Sequence, residues 1–258
     1  MFIHAEGGKD NDFRGDFACP KCEKSMLAIT SVKQAVRAFP YLRIKLKFMI
    51  HVRSFTFNPF MENTYVVYTD GGSAVIVDPG CSDPSEERQL DEFITEKKLT
   101  VKDVLLTHCH IDHVLGLNYT AGKYVCTPLM PEGELPVLAA AQRSAEMYGL
   151  NYNGTPETAY FKDDSYILDG EKFEILSVPG HSPAHVAFLH RGAGILLGGD
   201  VLFKQSIGRT DLPGGDYDTL IASIKNEIFP LDDAVIVYPG HMEPTTVGEE
   251  KRFNPFLR

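Results

Sequence analysis

Apolar residues in this chain fall into short runs set apart by turn-forming residues, and the regularity begins near "HVRSFTF" (51–57). "NTYVVYT" (63–69) and "SAVIVDPG" (73–80) read as strands joined by a hairpin at Asp70-Gly71-Gly72. "DPSEERQLDEFITEKK" (83–98) places acidic residues early, lysines late, and Leu90, Phe93 and Ile94 on one face, which predicts a capped amphipathic helix. "VKDVLLTH" (101–108) reads as a buried strand and "GKYVCT" (122–127) as another. Residues 132–149 predict a helix that stops at Gly149. Three strands follow in close order, "KFEILSVPGH", "HVAFLH" and "GILLGGD". "DYDTLIASIKNEIF" aligns Leu220, Ile224 and Ile228 as a helix. "DAVIVYPGH" is a last buried strand, with a short helix near 248–253 after it. The pattern recurs in two halves and predicts an α/β fold, helices covering the outside of packed sheets.

Residues 1–48 follow a different pattern. They carry one Cys19-Pro-Lys-Cys22, then "MLAITSVKQAVRAF" at helical spacing, then "YLRIKLKFMI", an alternating stretch that extends the first strand of the main domain or docks on its edge. A lone Cys-x-x-Cys supplies two of the four ligands of a structural zinc, so the simpler reading is a pair of free thiols. The change of pattern separates an N-terminal extension over 1–48 from a main domain over 49–258.

Composition narrows the function class. Hydrophobic residues make up 43% of 258, enough for a sizeable core. The net charge is −10; residues 1–48 hold nine Lys or Arg against five Asp or Glu, so the remainder carries −14. A domain that acidic is a poor match for nucleic acid and points to small-molecule partners. No apolar run approaches the roughly 20 residues of a membrane span, and the start lacks a secretory pattern. Five irregularly spaced cysteines do not form a disulfide framework. A cytoplasmic location is expected; the oligomeric state is left open.

The candidate chemistry lies in "LLTHCHIDHVLG" (105–116), where His108, His110, Asp112 and His113 fall within six residues. Two imidazoles two residues apart in an extended segment can straddle one ion, while Asp112 and His113 turn toward a second. His181, Asp200 and His241 each follow a strand-like run and a glycine, so rigid strand ends would deliver them to one edge. One tetrahedral zinc takes about four ligands, so these seven suit two ions. Paired ions in hydrolases sit about 3.5–4 Å apart, and Asp200, with two oxygens, is the natural bridge.

"THCHIDH" resembles the signature of the metallo-β-lactamase superfamily, and "VDPG", "PGHSPAH", "GGDVLF" and "YPGH" match its further motifs in order from about residue 50 to the end. The resemblance implies a four-layer αββα sandwich, two mixed sheets flanked by helices, with a dinuclear site at one edge. It implies His108, His110 and His181 for the first ion, Asp112, His113 and His241 for the second, Asp200 between them, and Asp78 as a carboxylate orienting a ligand. It implies two divalent ions, zinc first, with iron or manganese as alternatives. "SIGRTDLPGGDYDTL" and "TTVGEEKRFNPF" resemble more narrowly the short glyoxalase II-like hydrolases. In their glutathione-dependent relatives the loop matching Arg209 contacts the thiol carrier, which implies a substrate-binding role for that residue.

The function implied is hydrolysis of a thioester such as an S-acylglutathione. Metal-activated water is the attacking group and Asp112 assists it. A thiolate leaves easily, and the absence of Gly-x-Ser-x-Gly agrees with a mechanism that needs no nucleophilic side chain. His185 is expected to support the ligands from behind, and Cys109 to pack away from the site. The stretch "YGLNYNGTPETAY" with Tyr148, Tyr152 and Tyr160 either covers the site or packs its aromatics. The alternatives are a mononuclear-iron persulfide dioxygenase of the same fold using His108, His181 and Asp200, a hydrolase of another ester or lactone, and a non-enzymatic metal-stabilised scaffold.

Overall fold

Alternation along the strands decides which residues lie between the sheets and which lie under the helices. The computed structural model of the chain describes residues 48–258. The Cys19/Cys22 pair, the helix-like run 26–39 and most of the alternating stretch 41–50 lie outside those residues.

Strands β1 (Ile50–Phe57), β2 (Glu62–Thr69), β3 (Ser73–Val77), β4 (Thr100–Leu105), β5 (Leu129–Met130) and β6 (Ala159–Tyr160) form one sheet in that order. Its first three strands pair antiparallel and its last four parallel. The second sheet has the order β14-β13-β10-β9-β8-β7, built from β7 (Ser165–Leu168), β8 (Glu171–Ser177), β9 (Val186–His190), β10 (Ile195–Gly199), β13 (Ile236–Pro239) and β14 (Thr245–Thr246). A small ribbon, β11 (Leu202–Phe203) with β12 (Ser206–Ile207), stands apart.

Neighbouring residues on one strand point to opposite faces. Val67, Val75 and Val77 of the first sheet meet Phe188 and Leu197 of the second in the central core. Their neighbours Val66 and Ile76 face outward, onto Leu90 and Ile94 of helix α1 (Pro84–Glu96). On the far side Leu189 and Leu196 pack under Leu220 of α6 (Tyr217–Ser223) and Val247 of α7 (Val247–Phe253). The result is four layers, helix, sheet, sheet, helix, as the resemblance implied. Among the described residues no helix is long and apolar enough to cross a membrane.

Local expectations were met unevenly. Helix α1 begins where the sequence reading placed it, with the Asp83 carboxylate accepting from the backbone N–H groups of Ser85 and Glu86. The strand expected at 122–127 is instead the end of a helix, α3 (Leu117–Tyr124). Leu117, Thr120 and Ala121 face the core at helical spacing, and Val125, in the left-handed region at φ 54°, closes the helix and stays 90% exposed. Its apolar side chain therefore mimicked a strand signal without being buried. The helix expected over 132–149 divides into a 3₁₀ turn at Glu132–Glu134, α4 (Leu135–Ala139) and α5 (Ala141–Tyr148), and it ends at Gly149 as expected. The helix expected over 216–229 continues past α6 as a π-helical turn, Ile224–Ile228, which keeps Ile224 and Ile228 buried.

Candidate metal centre

Strand direction brings the seven predicted ligands together. Strands β8 and β10 both run antiparallel to β9, and β10 runs parallel to β13, so all three end at the same edge of the second sheet. His181 follows β8, Asp200 follows β10 directly, and His241 follows β13. From the facing sheet, β4 leads into His108 and His110, and the short helix α2 (Ile111–Val114) carries Asp112 and His113. The backbone N–H of Val186 donates to the Thr107 carbonyl at 2.9 Å, which ties the two sheets at this edge.

Glycine makes the close approach possible at two of the ligand turns. A Cβ at Gly240 would overlap the Asp200 carboxylate and crowd the His113 ring. Gly180, at φ 126°, lies against the backbone of Leu220, where no side chain fits.

The donors fall into two sets around Asp200. Ligating atoms of His108, His110 and His181 lie within 4.8 Å of one another, as do those of Asp112, His113 and His241. The Asp200 carboxylate reaches both sets, with His181 Nε2 at 3.6 Å on one side and His113 Nε2 and His241 Nε2 each at 3.4 Å on the other. Asp112 Oδ2 lies 3.1 Å from His241 Nε2.

Four of the imidazoles are held from behind by oxygen. His181 Nδ1 donates to the Arg209 carbonyl at 2.7 Å and His241 Nδ1 to that of Phe60 at 3.1 Å. His113 Nδ1 faces Asp78 Oδ2 at 3.2 Å. His108 Nδ1 faces the Thr107 hydroxyl at 3.0 Å, and that hydroxyl donates to Asp78 Oδ2 at 2.6 Å. Anchoring Nδ1 fixes the orientation of each ring and turns its Nε2 to the centre. His110 is the exception: its Nδ1 lies 2.8 Å from His181 Nε2, a separation two bare lone pairs hold only with a proton or a cation between them.

The electrostatics divide the same way. Burial, reinforced by neighbouring imidazoles, pushes His108 well below the usual histidine range and His110 to about 3. Burial also opposes charge on His113 and His241, yet Asp200 and Asp112 outweigh it, raising His113 well above its ordinary value and His241 to about 10. Asp200 is held well below the carboxylate range because His113 outweighs its burial.

Buried His108 Nε2, His113 Nε2 and Asp200 Oδ1 have no hydrogen-bond partner. Leaving three such groups unmade is costly, and a cation would satisfy all of them. Imidazole and carboxylate donors without a thiolate suit zinc, iron or manganese. The residues therefore fit bound divalent ions.

Three supporting residues escaped the sequence reading. Thr107 links His108 to Asp78 as described. Glu134, fully buried, accepts from Ser182 Oγ at 2.5 Å, Ala184 N at 2.8 Å and Cys109 N at 3.1 Å, so one carboxylate braces both the 108–113 and 181–185 segments. Glu62 is also fully buried, 3.9 Å from His113 Nδ1, with its carboxyl raised well above the usual range by burial. Each glutamate sits in a segment whose pattern gave no sign of burial.

His185 stacks on His108, ring centroids 4.6 Å apart, and its Nε2 accepts the backbone N–H of Asp200 at 3.1 Å. Cys109 is buried, and burial pushes its thiol well up. Arg209 lies on the wall of a cavity of about 870 Å³ above the cluster, its guanidinium paired twice with Asp211 at 2.7 Å. Tyr148 lines the same cavity, Tyr152 packs on the outer core, and Tyr160 lies in β6.

Comparison with known proteins agrees with this architecture. Residues 57–241 match the family model of the metallo-beta-lactamase superfamily. The chain is 38% identical over 203 residues to hydroxyacylglutathione hydrolase GloC of Haemophilus influenzae, covering 77% of this chain and 93% of that protein. Among solved structures it is similar to the BLEG-1 B3 metallo-beta-lactamase, at 34% identity and TM-score 0.73 over 80% of this chain and 99% of the other. It is similar also to TTHA1623, solved in a di-iron-bound form, at 36% identity and TM-score 0.72 over 80% and 100%. Fold, motif order and sequence identity agree: the chain belongs to the metallo-beta-lactamase superfamily, as a metallo-hydrolase.

Proposed function

We propose that this chain is a dinuclear metal-dependent thioesterase acting on small acyl thioesters of the S-acylglutathione type. The observation that carries the reading is the pair of three-donor sets sharing the Asp200 carboxylate at the floor of an open cavity. A structural metal site is closed by its protein ligands, whereas this one faces a space large enough for a substrate. Similarity to a hydroxyacylglutathione hydrolase supports the thioester class.

His108, His110 and His181 would hold one ion, Asp112, His113 and His241 the other, with Asp200 between. Bound there, divalent ions would acidify water toward pH 7 and polarise a carbonyl. Asp112 lines the cavity and is kept ionised, since His113 and His241 outweigh its burial. It is placed to accept a hydrogen bond from the attacking water and so to orient it. A departing thiolate, with a thiol value near 8.5, needs little proton donation. Cys109 is buried with its thiol neutral and takes no part.

The test is hydrolysis of an S-acylglutathione by the metal-loaded chain and by Asp112→Ala. Activity should fall about a hundred- to ten-thousand-fold in the variant while metal is retained at the first site. Unchanged hydrolysis by Asp112→Ala would remove that residue from the reaction.

A further inference from the structure

The cavity above the metal cluster is walled by apolar groups. Helices α4 and α5 present Val137, Met147 and Tyr148, the turn between them presents Ala140, and loops add Leu212 and Met242. Met147 and Met242 stand 71% and 57% exposed at the site, large apolar side chains left in water. Unpaired positive charge is missing: among the described residues of the wall Arg209 is the one lysine or arginine, and Asp211 already occupies its guanidinium with two 2.7 Å bonds. An anionic group reaching Arg209 would compete with Asp211 for its guanidinium, exchanging one carboxylate for another.

We propose that this cavity receives the uncharged, apolar acyl chain of the substrate, so that the enzyme selects medium-length aliphatic acyl thioesters over short hydroxylated ones. The inference rests on the thioesterase reading and specifies its substrate class. A chain lying along Val137, Ala140 and Met147 would take their exposed apolar surface out of water together with its own. Each buried methylene strengthens such binding about fourfold. The contact is remote from the carbonyl and equal in ground and transition states, so it lowers KM and leaves kcat nearly constant.

The experiment uses the full zinc-loaded chain and thioesters of a neutral thiol, N-acetylcysteamine, carrying straight acyl groups from acetyl to decanoyl, with S-lactoylglutathione for comparison. Binding of the non-hydrolysable S-decyl thioether is measured alongside by calorimetry. KM should fall about fourfold per methylene over the first several carbons, and the decyl thioether should bind. Met147→Glu, at an exposed position of α5, and Ala140→Glu, at the exposed turn before it, should leave the thermal melt unchanged and flatten the dependence on chain length. Hydrolysis that is indifferent to chain length, or fastest for lactoyl, overturns the inference and leaves the thioesterase reading intact. No hydrolysis of any thioester, with tight thioether binding lost in Met147→Glu, would retain the apolar site and sink the thioesterase reading. Absence of both binding and chain-length dependence overturns the inference.

Discussion

The imidazoles of the centre are distinguished by what holds them from behind. Thr107 and Asp78 form a relay in which one hydroxyl and one carboxylate orient both His108 and His113, one ring from each donor set. Outer partners of this kind commonly govern metal affinity by about 10- to 100-fold. Thr107→Val should therefore weaken metal binding by that order, measured by competition with a chromophoric chelator, and Asp78→Asn should do so more strongly because it touches both sets. Equal affinity in wild type and both variants would show the relay to be incidental. The candidate ligands stood out in the sequence, because His-x-His-x-Asp-His after an apolar strand is a local pattern. Asp78 was legible through its motif. Glu134 was not: its partners lie 25 and 48 residues away, and a glutamate in a helix-like run reads as a solvated face until the fold closes over it.

Between elements, polar staples tie neighbouring helices together. Asp91 on α1 accepts from Tyr119 and Tyr124 of α3 at 2.7 and 2.6 Å and pairs with Lys123 at 2.7 Å. Burial works against its charge, but these three partners outweigh it and hold its carboxyl below the ordinary value. The sign follows from linkage. A carboxylate depressed in the folded state contributes stability above its unfolded value, about 3.9, and loses it as pH falls through the folded one. Asp91→Asn should cost about 1–3 kcal/mol in urea unfolding at pH 7, and the gap to wild type should narrow below pH about 4. A gap that stays constant into acid would assign the loss to something other than the charge. Element types followed the hydrophobic period where a buried face was clear, as in α1 and the paired strands. They failed at 122–127, where the apolar Val125 is a solvent-exposed helix terminus.

Across the whole molecule, two sheets meet so that four strand ends converge on one edge, and the packing between them serves to hold that convergence. The sandwich was legible only through the order of motifs, since alternation shows that a strand has two faces without showing which sheet covers each. Val67 and Val66 look alike in sequence, yet one meets the second sheet and the other meets a helix. The same gap explains why the apolar cavity was not foreseen: it is assembled from helices, loops and ligand turns that have no shared pattern. Metal content tests the dinuclear thioesterase reading most directly. Elemental analysis of the purified chain, paired with thioester turnover, should find about two divalent ions per chain, with Asp200→Ala losing more than one of them and the activity together. One iron per chain, oxygen consumed on a persulfide and no thioester cleaved would contradict it.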